Sequence, residues 1–182
     1  MRLWPPGAAE HSISTENAIP MTLKLNFKRP SMIISGGQTG VDRAALNWAI
    51  AQAIPHAGWC PRGRLANDGR LPDRYQLQET TSAGYSQRTR ANVLNADAPL
   101  ILTCGPPVGG SRLTLRFAHE AAKPFFVVDL DRPLGQPLQE AWSWQAAQPP
   151  FYTLNIAGPS ESRCPGIYKK TLEFMSHCLG GN

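Results

Sequence analysis

The chain has 182 residues, 42% of them hydrophobic and 17% charged, with a formal net charge of +5. These proportions support one globular domain with its own core and exclude a disordered chain; no apolar run is long enough to span a bilayer. The positive charge suits an anionic ligand without demanding nucleic acid, and the four cysteines, Cys60, Cys104, Cys164 and Cys178, contain no C-x-x-C pair, so reduced thiols in a cytosol are expected in place of a disulfide framework or zinc ribbon.

Residues 1–30 contain Pro5, Pro6, Gly7, Pro20 and Pro30 and no sustained period. They read as a loose extension without a secretory pattern, which leaves 31–182 as the domain. Met32 to Ser35 is a short apolar strand that ends at Gly36-Gly37. Val41, Ala44, Ala45, Trp48, Ala49 and Ala53 recur at helical spacing, and Pro55 stops that helix. Ala57 to Cys60 is a second short strand. Residues 61–75, rich in Arg, Gly and Pro, read as a long functional loop, followed by a short strand over Gln76 to Thr80. Tyr85 to Asn95 is a helix, Pro99 to Thr103 a buried strand, and Ser111 to Ala122 a helix. Phe125 to Leu130, Leu138 to Ala147, Tyr152 to Ala157 and Gly166 to Leu179 then alternate strand, helix, strand, helix. Such alternation implies an α/β fold: a Rossmann-like, doubly wound, mostly parallel sheet with helices on both faces.

Two glycine-rich turns lie between a strand and a helix. In the first, Gly36, Gly37, Gln38, Thr39, Gly40 and Asp42 bring backbone N–H groups and a helix N-terminus to one place, a combination that favours phosphate or another oxyanion. The sequence is neither GxGxxG nor a P-loop. In the second, Gly109, Gly110 and Ser111 follow the buried strand, with Ser111 placed to cap the helix. In a doubly wound sheet both turns would flank one crevice beyond the strands' carboxyl ends, provided that their strands are neighbours. Six arginines (Arg62, Arg64, Arg70, Arg74, Arg88, Arg90) crowd a stretch without lysine, and guanidinium forks suit phosphate; Arg62 and Arg88 are the candidate ligand contacts. Each can equally pair on the surface with Asp68, Asp73 or Glu79. Cys60 and Cys104 fall near strand ends, and His56, His119 and His177 have no metal-ligand spacing. Neither metal ligands nor catalytic residues are assigned.

Five motifs in order carry a resemblance. Gly36 to Asp42, Gly58-Trp59-Cys60-Pro61-Arg62-Gly63, Gln87 to Asn92, Gly109-Gly110-Ser111, and Asn155 to Ser162 with Pro165 to Tyr168 resemble the molybdenum cofactor carrier family, over about residues 32–179. That family is similar to the wider Rossmann-like group of Lonely Guy phosphoribohydrolases and DNA-processing protein A. The resemblance implies a homo-oligomer, dimer or tetramer, that holds molybdenum cofactor (molybdopterin) for storage or transfer to molybdoenzymes or cofactor-synthesis proteins. Asn155 and Ser160 to Ser162, read as a third loop after a strand, are expected to complete the site. The phosphoribohydrolases place a catalytic Glu where this chain has Arg116, which would oppose an oxocarbenium-like centre. Hydrolysis of nucleoside monophosphates is therefore the second reading. Single-stranded nucleic-acid binding is the third, because the arginine segment offers only Tyr75 and Tyr85 as stacking platforms.

Overall fold

The structure, a computed structural model, describes residues 28–180. Most of the expected extension, residues 1–27, lies outside the described residues. The first apolar run forms β1 (Met32–Ile34), and the helical spacing after Gly40 forms α1 (Val41–Ala51). The chain leaves α1 through Ala53, at φ 52°, and reaches Pro55, where the restricted conformation of the preceding residue prevents another helical turn.

The expected strand Ala57 to Cys60 divides into β2 (His56–Ala57) and β3 (Trp59–Cys60). Gly58 causes the division. Its φ is +148°, and a Cβ there would collide with the Ser35 carbonyl oxygen. Here the chain leaves the main sheet and pairs β3 in parallel with β6 (Gln78–Glu79). The expected long loop 61–75 contains a small antiparallel hairpin, β4 (Leu65–Ala66) and β5 (Gly69–Arg70). Then follow α2 (Tyr85–Leu94), β7 (Ala98–Thr103), α3 (Gly109–Glu120), β8 (Phe126–Asp129), α4 (Gly135–Ala146), β9 (Thr153–Ala157) and α5 (Ile167–Leu179).

The main sheet is five-stranded and parallel, in the order β2-β1-β9-β7-β8. The last strand in sequence is thus the middle strand in space. If the strands are numbered from β9 and continued through β1, β2, β7 and β8, the order reads 3-2-1-4-5, the first five positions of a Rossmann sheet. Its switch point falls between β9 and β7.

Strand alternation supplies both faces. Ile33, Leu100, Leu102, Leu154 and Ile156 pack with Trp48 and Ala49 of α1, Leu138, Ala141 and Trp142 of α4, and Phe174 and Met175 of α5. On the other face Val93 of α2 packs with Phe117 and Ala118 of α3. A separate small core of Leu46, Cys60, Leu71, Tyr75 and Leu77 lies under the hairpin segment. Trp144 stacks on Phe126 with centroids 5.8 Å apart, so both tryptophans of α4 serve packing. Among the described residues no helix is long and apolar enough to cross a membrane.

Candidate functional site

Because β9 lies between β1 and β7, the two glycine turns do not follow neighbouring strands, and the proviso attached to their shared crevice fails. The loop after β9 separates them and contributes to the site. Its approach to α1 is close: a Cβ on Gly40 would lie 2.5 Å from the Pro159 carbonyl oxygen and 2.6 Å from the Glu161 nitrogen.

The first glycine turn faces inward. Asp42, second residue of α1, is buried and accepts a hydrogen bond from Arg88 Nη1 at 2.8 Å. It also accepts the Gln38 and Gly158 backbone N–H groups. Val41 N–H donates to the Pro159 carbonyl at 3.2 Å. Burial pushes the Asp42 carboxyl up, opposed by the Arg88 charge and these hydrogen bonds. The chain's own carboxylate therefore occupies the start of α1, where the sequence pointed to a ligand's anion. Gly36 lies against the Asp42–Arg88 pair, which a Cβ would strike. Gly37 is buried with φ +78°, and a Cβ would sit 2.8 Å from Leu77 Cδ1 and 3.0 Å from Leu71 Cδ1. It faces the small core. Thr39 and Gly40 line a separate hollow with Arg43, Asp68, Glu161 and Tyr168.

Gln38 faces a cleft instead. It lines this cleft, of about 370 Å³, with Tyr85, Arg88 and Thr89 of α2, Val108, Gly110 and Leu113 at the start of α3, and Ser160, Ser162 and Arg163 after β9. The cleft opens at the carboxyl ends of β7 and β9, the switch point of the sheet. Among the described residues, the Gly109 and Gly110 N–H groups make no hydrogen bond to the chain, and the Arg163 guanidinium enters no ion pair. That guanidinium lies against Gly109, whose φ of +52° also favours glycine. A Cβ on Gly110 would meet nothing within 4 Å. Free donors at a helix N-terminus beside an unpaired guanidinium form an anion-binding end.

The opposite wall is a polar network. The Gln38 amide oxygen accepts the Thr39 and Asn67 N–H groups, each at 2.9 Å. Its nitrogen donates to Asn67 Oδ1 at 3.0 Å and to the Tyr85 hydroxyl at 3.3 Å. Asn67 Nδ2 donates to Ser162 Oγ at 3.0 Å, while Arg43 holds the neighbouring Asp68 through two 3.0 Å contacts. The β4–β5 hairpin thereby straps the cleft.

Of the six clustered arginines, Arg88 alone lines this cleft. Arg64 is buried and donates to the carbonyls of Leu71, Pro72, Tyr75 and Leu77. Arg70 pairs with Asp73 at 3.0 Å, and Arg74 donates to the Tyr75 hydroxyl at 2.7 Å. Arg62 is exposed and outside the cleft lining. Ser111 is buried as the third residue of α3; Val108 occupies the cap position, because the helix begins two residues earlier than expected. Asn155 lies within β9, not in the loop after it, and its buried Nδ2 has no partner. Sequence reasoning missed Asn67, Tyr85 as a cleft residue, and Arg163. The position of Arg163, directly after the Ser160 to Ser162 run, was the available signal.

One expectation is overturned outright. Cys104 and Cys164 form a disulfide, with Cα atoms 6.7 Å apart across a sequence separation of 60. The pairing follows from the sheet order, since Cys104 directly follows β7 and Cys164 lies in the loop after its neighbour β9. Cys60 and Cys178 are free and buried. Among the described residues no group of three or more His, Cys, Asp or Glu side chains is arranged to hold a metal ion.

Comparison with known proteins agrees with this topology. The model of the circularly permutated YpsA SLOG family matches residues 33–179. The chain is similar to a crystal structure from Syntrophus aciditrophicus SB named as a putative molybdenum carrier protein, with 45% sequence identity and a TM-score of 0.81 over 84% of this chain and 97% of that one. No curated protein matches. The permutation is visible in the sheet, where β9 takes the central position that an unpermuted chain gives to its first strand; the chain belongs to the circularly permutated YpsA SLOG family.

Proposed function

We propose that the protein binds a phosphate-bearing small molecule in the cleft between β7 and β9 and, as a cytosolic carrier, holds molybdenum cofactor for storage or transfer to molybdoenzymes or cofactor-synthesis proteins. The observation that carries this reading is the pairing of the free Gly110 N–H group with the unpaired Arg163 guanidinium at one end of a 370 Å³ cleft, with Gly109 packed behind that guanidinium. A terminal phosphate fits there, because a helix N-terminus and a guanidinium both favour an oxyanion. The amide and hydroxyl groups of Gln38, Asn67, Tyr85 and Ser162 fit a polar ring such as a pterin. The molybdenum would travel as cargo. The name of the Syntrophus relative points the same way.

The phosphoribohydrolase reading has less support. Arg116, at the position of the family's catalytic Glu, lies in a different groove along α3 and pairs with Glu120 at 3.4 Å. That groove, of about 820 Å³, has Leu113, Leu115 and Phe125 in its lining, with Arg112 in the first turn of α3 and the Arg116–Glu120 pair in its second half.

Calorimetric titration with molybdopterin, and with AMP as a simpler phosphate probe, tests the binding reading. Arg163→Ala is expected to weaken molybdopterin about tenfold, or about 1.4 kcal/mol, with a smaller salt dependence than the parent. If the folded parent binds neither compound, the reading is wrong. Release of free base from AMP at about 1 per second or faster would favour the hydrolase.

A further inference from the structure

We propose that Cys104 and Cys164 are a reversible dithiol–disulfide pair that fastens the two loop walls of the cleft when oxidised and frees them when reduced. The importance of the switch for binding rests on the cleft being the ligand site. The switch itself rests on how the loops are tied.

From Cys104 the chain runs through Gly105, Pro106, Pro107 and Val108 to Gly109 and the anion-binding Gly110. From Cys164 it runs back through Arg163, Ser162 and Ser160 on the opposing wall. The disulfide joins the roots of both walls. Other ties across this gap are few. Pro106 and Pro107 have no N–H to donate, and among the described residues the hydrogen bond from 105–108 to another element is Gly105 N–H to Asp129 Oδ1 at 2.9 Å. The loop after β9 is closed on itself: the Ser160 carbonyl accepts the Arg163 and Cys164 N–H groups, and the Glu161 carboxylate accepts those of Gly166 and Tyr168. Its outward hydrogen bonds reach Val41, Asp42 and Asn67, not the β7 loop. The covalent bond is therefore the principal link between the walls.

Access selects the same pair. Cys164 is 8% exposed, and Cys104 is half-buried, so an external thiol reaches Cys104 first. Cys60 and Cys178 lie in the cores, and burial pushes both thiols up, away from the reactive thiolate form. Oxidation requires a disulfide partner, either glutathione disulfide or a protein disulfide. The Cys104 thiolate attacks it and releases one partner thiolate. The Cys164 thiolate then attacks the mixed disulfide and releases the second. Two protein thiols become one disulfide, two partner thiols form, and two electrons pass to the partner; a dithiol reductant reverses the sequence.

The test uses the full chain poised with reduced or oxidised glutathione. Thiol titration in denaturant is expected to count four thiols after reduction and two after oxidation, since two of the four cysteines lie outside the pair. Hydrogen exchange is expected to quicken about fivefold or more on reduction at residues 105–112 and 158–164, with the sheet unchanged. Cys164→Ser should show the fast pattern in both poises, and Cys60→Ser should switch like the parent. Four thiols after oxidation, or equal exchange at both loops in the two states, would overturn the proposal; so would quickening across the whole sheet, which marks a merely structural bond. With inorganic phosphate as the probe, the oxidised form should bind at least about threefold tighter. Equal phosphate affinity in the two states would remove the link to binding. Absence of phosphate binding in both states would count against the ligand reading alone, while exchange would still decide the switch.

Discussion

At the scale of single residues, the two glycines Gly37 and Gly110 look equivalent in sequence and are opposites in space. Gly110 borders the cleft with open space at its Cβ position, whereas Gly37 is wedged between Leu71 and Leu77 at positive φ. Gly110→Val is expected to keep the parent's melting temperature within a few degrees while weakening AMP about tenfold or more, near 1.4 kcal/mol. Gly37→Val is expected to destabilise the domain by about 2 to 4 kcal/mol, from backbone strain added to overpacking. Thermal melting paired with calorimetry separates the two. A melting temperature unchanged by Gly37→Val would show that the turn is not held as described. The sequence marked both as glycines beside a helix start, which is as far as local pattern goes. Which of them faces ligand depends on Leu71 and Leu77, more than thirty residues further along. Arg88 is a similar case. Its candidacy as an anion contact was legible, but its engagement with a buried Asp42 was not, because Asp42 reads locally as a favourable residue in a helix's first turn.

At the scale of elements, the strand and helix alternation was readable throughout because each long element has a clear period, and most boundaries moved by one to three residues. The short strand expected over Gln76 to Thr80 is present as β6, but the hairpin within residues 61–75 was not readable, because two-residue strands carry no period at all. Its order comes from a buried cation. Arg64 gathers the carbonyls of Leu71, Pro72, Tyr75 and Leu77, closing the segment around a single guanidinium. Arg64→Met keeps much of the volume and removes the donors, leaving buried carbonyls unpaired. It is expected to cost about 3 kcal/mol in urea unfolding and to quicken hydrogen exchange across residues 64–77. An unchanged unfolding midpoint would mean that water replaces the guanidinium without penalty. Because the hairpin reaches Gln38 and Ser162 through Asn67, the same variant should also loosen the polar wall of the cleft.

At the scale of the whole molecule, the sequence conveyed a parallel sheet with covered faces but not its strand order. Order depends on which edges meet, and nothing local in Thr153 to Ala157 distinguishes a central strand from an edge strand, since both can be apolar. The missed disulfide follows from the same gap: without β7 and β9 as neighbours, Cys104 and Cys164 are merely distant in sequence. The central position of β9 predicts that a chain ending at residue 151 does not fold, because β1 and β7 then have no strand between them. Circular dichroism and hydrogen exchange of residues 1–151 should show no protected sheet, and adding a peptide of residues 152–182 should restore it in part. A protected sheet in the fragment alone would contradict the topology. The same position governs how the protein is made. A ribosome delivers β1, β2, β7 and β8 before the strand that joins them, so two half-sheets emerge with complementary open edges and must wait for β9. The sheet is therefore completed only once β9 has emerged, and a nascent chain stalled short of β9 offers those edges to chaperones or to other copies of itself.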